Sequence, residues 1–324
     1  MRDDSATPPR RPGSIRRTTS LDVSWPAGID GPLRFEGVGR DAFTDDIGGL
    51  TVLEHIGVVV DVNAVEREVL SVDTVGVDDA SAILGTRLGR GVREAMTEGM
   101  PADVHRGAPV VQLFDDMTGA WVVAAYALFI WGLGDSGVFL GSSSRRQMAN
   151  VCLGFASGSS AFADDGGVND RHMSAGVEEL GDHRDPDGWH ALPERTDMSL
   201  RRARRLDLSL VDGAYVVDSM FQDSSTLPAG GRAGVHQYGV TAVIGQDDLV
   251  LRQLDADPHV LPYGECPMAM LGLPGLVGTP LLDLRDVVPK RLPGVHGCTH
   301  LNDAVRALSL VEGLATSLTT TLHP

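Results

Sequence analysis

Two distant stretches of the chain align without gaps. RRTTSLDVSW, Arg16 to Trp25, and RRARRLDLSL, Arg201 to Leu210, are identical at five of ten positions. The match continues in order and spacing. LRFEGVGRDAFTD is followed by VLEHIGVVVDV, with His55, and then by EREVLSVD. AYVVDSMFQDSST is followed by GVHQYGVTAVI, with His236, and then by DLVLRQLD. MPADVHRGAPVVQLFDDM in the first series stands where RLPGVHGCTHLNDAVRAL stands in the second. Self-similarity on this scale constrains the fold strongly, because each copy must be one compact unit. The chain reads as two copies of a domain of roughly 110 residues, an ordinary domain size. They span 15–135 and 201–324. A polar, Pro-rich tail, 1–14, is expected to be disordered. A loop-rich insert, 136–200, serves as a linker or a lid, since connections within a domain are usually far shorter.

Each copy begins with strand patterns and ends with helical ones. VTAVIG, the polar turn Gln246-Asp247-Asp248 and LVLRQLD form a hairpin signal. Leu301, Val305, Leu308, Val311, Leu314 and Leu318 recur at helical spacing. Thr299 precedes them as an N-cap. Strands followed by helices predict an α+β fold, two small antiparallel sheets each with packed helices. The insert opens with a predicted helix, RRQMANVCLGFA. The apolar run Ala120–Leu133 is shorter than the roughly 20 residues that span a bilayer, so it reads as a buried helix.

The net charge of −17 repels phosphate backbones. The two basic clusters, Arg16-Arg17 and Arg201 to Arg205, are short and read as solvated strand entries. No nucleic-acid or membrane partner is expected. Three cysteines, Cys152, Cys266 and Cys298, argue against a disulfide framework and for a reducing, cytoplasmic setting.

The second copy concentrates metal-ligating residue types. His236 lies on an alternating strand, Cys266 opens a short apolar helix after the hairpin, and Cys298 and His300 flank Thr299. Thiolate and imidazole are donors that zinc prefers and that iron sites accept. Cys266, Cys298, His300 and His236 form the candidate metal set, with His296 as a substitute for His300. Cys298 and His300 are the candidate catalytic pair, because a helix N-terminus favours thiolate. The first copy keeps His55 and His105 but has Asp78 and Asp79 where the second has Cys266, and it lacks Cys298 and His300. Those two aspartates read as a solvated helix start. Cys152 reads as a core residue.

RRxxxLDL, the Asp218–Asp223 strand, the His236 strand, Cys266 and GCTHL at Gly297 to Leu301 resemble a bacterial domain family of unknown function. Its members end in a Gly-Cys-Thr-His-Leu motif before the last helix. More distantly, the second copy resembles the NifU/IscU-type iron–sulfur scaffold, with Cys266 and Cys298 matching two of its cysteines. Here Gly297 separates His296 from Cys298, and no cysteine stands near Gly234, where the scaffold carries its first. These departures favour a mononuclear metal over a cluster. Two functions follow. One is a soluble enzyme acting on a small organic substrate, a metal-dependent lyase or hydrolase with zinc or iron. The other is a non-enzymatic metal or iron–sulfur carrier.

Overall fold

A computed structural model describes residues 7–134, 148–162, 174–177 and 180–322. The strands are β1 (Ser14–Ser24), β2 (Leu33–Thr44), β3 (Leu50–Val62), β4 (Val69–Val75), β5 (Ala175–Gly176), β6 (Ser199–Val211), β7 (Ala214–Thr226), β8 (Arg232–Gly245) and β9 (Leu251–Val260). The α-helices among the described residues are α1 (Arg90–Gly99), α2 (Pro101–His105), α3 (Pro109–Ile130), α4 (Leu284–Arg291), α5 (Thr299–Arg306) and α6 (Val311–Leu322).

The strands expected to make two sheets form one. Its order is β4-β3-β2-β1-β6-β7-β8, with β5 and β9 both pairing with β8, and the pairings are antiparallel. The joint is β1 against β6, from Ser14↔Ser209 to Ser24↔Ser199. Its midpoint is Thr19 opposite Arg204, the two residues that align with each other in the matching sequence stretches. The expected hairpin is β8–β9.

Both central strands are buried along almost their whole length. Alternation sends successive side chains to opposite faces. Leu21, Val23, Leu206 and Leu208 join the cores under the helices. Thr18 and Ser20 face the insert, where their hydroxyls flank the two ring nitrogens of buried His190 at 2.9 and 2.8 Å. Arg16 reaches Gly188 O on that same face. The described part of the insert is therefore built into the molecule. Residues 180–198 cover the sheet, and residues 148–162 pack beside the last helices, where Leu153 N–H donates to Gly297 O at 2.9 Å.

Several local expectations change. Residues 7–13, assigned to a disordered tail, are tied down: Thr7 is buried and accepts from Trp189 Nε1, and Arg10 pairs with Asp185. Residues 1–6 lie outside the described residues. Of the helix predicted over 145–156, residues 145–147 also lie outside the described residues; the remainder is not an α-helix but turns and bends around a single 3₁₀ turn, Leu153–Phe155. The basic clusters are not solvated. Arg16, Arg17, Arg201, Arg202, Arg204 and Arg205 are all buried, and each is paired with a carboxylate. Desolvating a guanidinium is costly unless it is charge-paired and hydrogen-bonded.

α3 crosses the middle of the sheet, touching β1, β2, β3, β6 and β7. It is the one described helix long and apolar enough to cross a membrane, and 14 of its 22 residues are buried in the protein. Two glycines allow the helices their close approach. A Cβ on Gly119 of α3 would lie 1.8 Å from Arg202 Nη1, and one on Gly313 of α6 would lie 1.7 Å from Arg106 O.

Candidate functional site

Asp223 lies opposite His236 in the β7–β8 register, and both point under the helices. α5 begins with Thr299 and has Cys298 as its N-cap residue, one position before the expected cap. Its first turn lowers His300 onto His236. The two imidazoles stack with centroids 3.5 Å apart at an interplanar angle of 20°. His236 Nδ1 stands 3.4 Å and His300 Nε2 3.9 Å from Asp223 Oδ2. Donor atoms of Asp223, His236 and His300 all lie within 4.8 Å of one another.

A buried arginine supports this trio. Arg202 Nε and Nη2 both donate to Asp223 at 2.9 Å, and neither side chain is exposed. The remaining nitrogen, Nη1, faces Asp116 and Asp303 at 3.7 and 3.8 Å without a hydrogen bond. Arg204 donates to Asp116 at 2.8 and 2.6 Å. Arg202 and Arg204 both lie over the ring of Phe221, at 4.9 and 4.6 Å, and Phe221 in turn lies beside His300.

The electrostatics follow from burial and pairing. Burial would raise the Asp223 carboxyl, but the charge and the paired hydrogen bonds of Arg202 hold it well below the carboxylate range. Burial lowers both imidazoles; beside His300 the other ring adds to this and Asp223 opposes it. Both histidines are thus neutral near pH 7, the form that binds a metal. His236 Nδ1 makes no well-formed hydrogen bond although it is buried. Its long approach to Asp223 is an ion-pair distance rather than a good bond. The side chain of His300 is 13% exposed, against 9% and 0% for His236 and Asp223, so access is from the α5 side.

The four expected ligands fall into two adjoining groups. His236 and His300 come together, with Asp223 added. Cys266 and Cys298 lie beyond them, next to Cys152 and Tyr238. All three cysteines are free and buried. Tyr238 Oη donates to Cys298 Sγ at 3.5 Å. Burial pushes the Cys266 thiol up to about 12, and also raises Cys152 and Cys298. A desolvated thiol of this kind is a poor nucleophile. His296, the substitute ligand, sits in the 3₁₀ turn before α5.

Asp223 escaped the sequence reading, although a signal for it was present. Arg202 and Arg204 share the phase of Leu200, Leu206 and Leu208, so they point into the core and require carboxylate partners. His55 is not the counterpart of His236. Asp41 pairs with Glu54 in β2–β3 as Asp223 pairs with His236 in β7–β8. His55 is one residue further on, and with a period of two it faces the insert instead.

No curated protein and no solved structure matches the chain. Residues 200–312, from β6 into the first turn of α6, carry the domain described as protein of unknown function DUF2889, and Asp223, His236, Cys266, Cys298 and His300 all fall inside it.

Proposed function

We propose that this protein is a metal-dependent enzyme acting on a small organic substrate. Asp223, His236 and His300 would hold one divalent iron or zinc ion. The observation that carries this reading is the convergence of three donor atoms within 4.8 Å, one of them a buried imidazole nitrogen without a hydrogen bond. Two histidines and one carboxylate suit a non-haem iron or catalytic zinc centre that leaves positions open for substrate or water. Arg202 would orient Asp223 as a supporting partner of a metal ligand. The ion would polarise a carbonyl or lower the pKa of bound water, which is the chemistry of a lyase or hydrolase. His300, at the accessible end, would border the substrate. The reading also takes the two halves of the sheet as copies of one unit, with the first having lost its site, and takes the free cysteines as marking a cytoplasmic protein.

A second reading rests on Arg202 already engaging both oxygens of Asp223. In that reading the group works without metal, with Asp223 polarising His236 as a general base.

Elemental analysis and calorimetric titration with Fe(II) and Zn(II), on protein purified anaerobically, test both. One ion per chain, lost in His300→Ala and in His236→Ala, together with metal-dependent turnover in a screen of small esters, amides and hydroxy acids, is expected. Turnover unaffected by chelator but lost in His236→Ala would favour the metal-free base. Stoichiometric metal without turnover would leave the carrier function.

A further inference from the structure

The buried arginines of β1 and β6 are each paired with a carboxylate, and a buried arginine of β2 is not. Arg40 is 7% exposed. Its Nη2 donates to Asp187 O at 2.7 Å, and among the described residues no carboxylate lies within ion-pair distance of it. Nε is enclosed without a hydrogen bond. Nη1 makes none either, and it is not enclosed. One bond to a carbonyl leaves the buried charge itself uncompensated. The setting sharpens this imbalance. Arg40 stands opposite Thr18 on one side and His55 on the other, on the face that meets the insert. Nearby, Arg10 and Arg16 approach Asp185 at 2.8 and 3.9 Å. Arg16 and Arg205 both pair with Asp207, and Arg205 reaches Asp218 at 2.7 Å. With Arg40, four guanidiniums share these three aspartates. Burial lowers the Arg40 pKa and the charges of Arg10 and Arg16 add to this, while Asp187 and Asp185 oppose it. Asp187 is itself exposed, so its charge is screened by solvent. His190 has both ring nitrogens engaged by hydroxyls and offers Arg40 no acceptor. His55 is exposed. The β3–β4 pairing stops at Gly57 opposite Val75, so no strand lies beyond His55 in this row.

We propose that Arg40 and His55 form a binding site for the carboxylate of a small organic acid. Directly opposed residues of an antiparallel pair hold their Cβ atoms roughly 4.5–5.5 Å apart. That spacing lets a guanidinium and an imidazole each take one oxygen of the same carboxylate. Arg40 Nη1 donates to one oxygen and a ring N–H of His55 to the other. Hydrogen bonds to an ionised acceptor are the strong ones, and a carboxylate is a natural partner of arginine. One negative charge also balances four arginines against three aspartates, whereas a phosphate dianion overshoots. The attraction is local, since the chain as a whole carries a charge of −17 and repels anions. The site lies on the opposite face of the sheet from Asp223 and does not rest on the metal reading.

The test is urea unfolding of the full-length protein in sodium acetate, sodium phosphate or sodium chloride, at matched ionic strength and neutral pH. A ligand that binds only the folded chain raises the unfolding midpoint with its concentration. Acetate should raise the wild-type midpoint above those in chloride and phosphate. Arg40→Gln should weaken acetate binding by at least about tenfold, and His55→Ala by roughly two- to tenfold. His300→Ala should leave the acetate response unchanged, which separates this site from the Asp223 centre. The variants also remove the general effect of acetate as a salt. In chloride, Arg40→Gln should unfold at or above the wild-type midpoint, because it strands no carboxylate. An arginine with a merely structural role would lose stability there and keep the acetate response. If a variant fails to fold, histidine ring NMR of the wild-type protein decides: the His55 resonances should shift and saturate with acetate. Equal midpoints in acetate and chloride, a larger effect of phosphate than of acetate, an undiminished response in Arg40→Gln, its loss in His300→Ala, or His55 resonances that ignore acetate would each overturn the proposal.

Discussion

The two halves of the sheet share a framework and differ in what fills it. In the first half Arg17 pairs with Asp41, at 2.6 and 2.5 Å. In the second Arg202 pairs with Asp223 at the matching register positions, at 2.9 Å. Across the next strand the first half places Glu54, which binds Arg106 near the surface, and the second places His236. At the head of the following helix the first half has Pro109, packed against Gly39. The second has His300, beside Phe221. The arginine–carboxylate pair therefore belongs to the framework, and the stacked histidines belong to one half alone. Chemistry is to be sought where the halves diverge.

Removing the framework pair should have the largest effect. Arg202→Ala strands Asp223 in the core and is expected to cost about 3–5 kcal/mol in denaturant unfolding. Arg17→Ala should cost less, because Arg17 and Asp41 keep 7% and 8% of their side chains exposed where Arg202 and Asp223 keep none. Equal losses would break the distinction between the two cores.

A smaller effect should appear in acid, on the face where the halves meet the insert. Burial, with the nearby charge of Arg40, lowers His190 to about 3. The unfolded chain then binds the extra proton first, so the stability His190 contributes is complete above about pH 6.5 and declines as pH falls towards 3. By pH 5 the loss should reach about 2 kcal/mol. His190→Gln should flatten that part of the stability–pH curve, and an unchanged slope would contradict it.

The smallest effect belongs to the first half's own substitute. Arg106→Ala breaks a contact with Glu54 in which the arginine is 49% exposed, and it should cost under about 1 kcal/mol. Glu54→His alone should create no metal affinity in calorimetry, because Pro109 stands where the second imidazole would be needed.

Much of the second half was legible in the sequence. Alternation located β8 and β9, and the approach of His300 to His236 followed from a strand and a helix start in one small unit. The single sheet was not legible, because β1 and β6 are equally buried whether they pair with each other or are covered separately. Asp223 was missed because the arginine run looked like a surface feature. Only its phase relative to Leu200 and Leu206 betrays burial, and that phase becomes decisive once strand pairing is known. His55 was misassigned by a single step along β3, a shift that leaves composition unchanged and reverses the face.

The central joint also sets the order in which the molecule assembles. Thr19 and Arg204 are neighbours across β1–β6, yet more than half of the chain is made between them. At roughly 5–20 residues per second, β1 emerges from the ribosome about 10–40 s before its partner. Throughout that interval it is an open, hydrogen-bonding edge. Closure of the joint is a late, long-range step that sequence-distant contacts make slow. Until β6 arrives, the first half of the nascent chain is the part most exposed to pairing with another copy of itself.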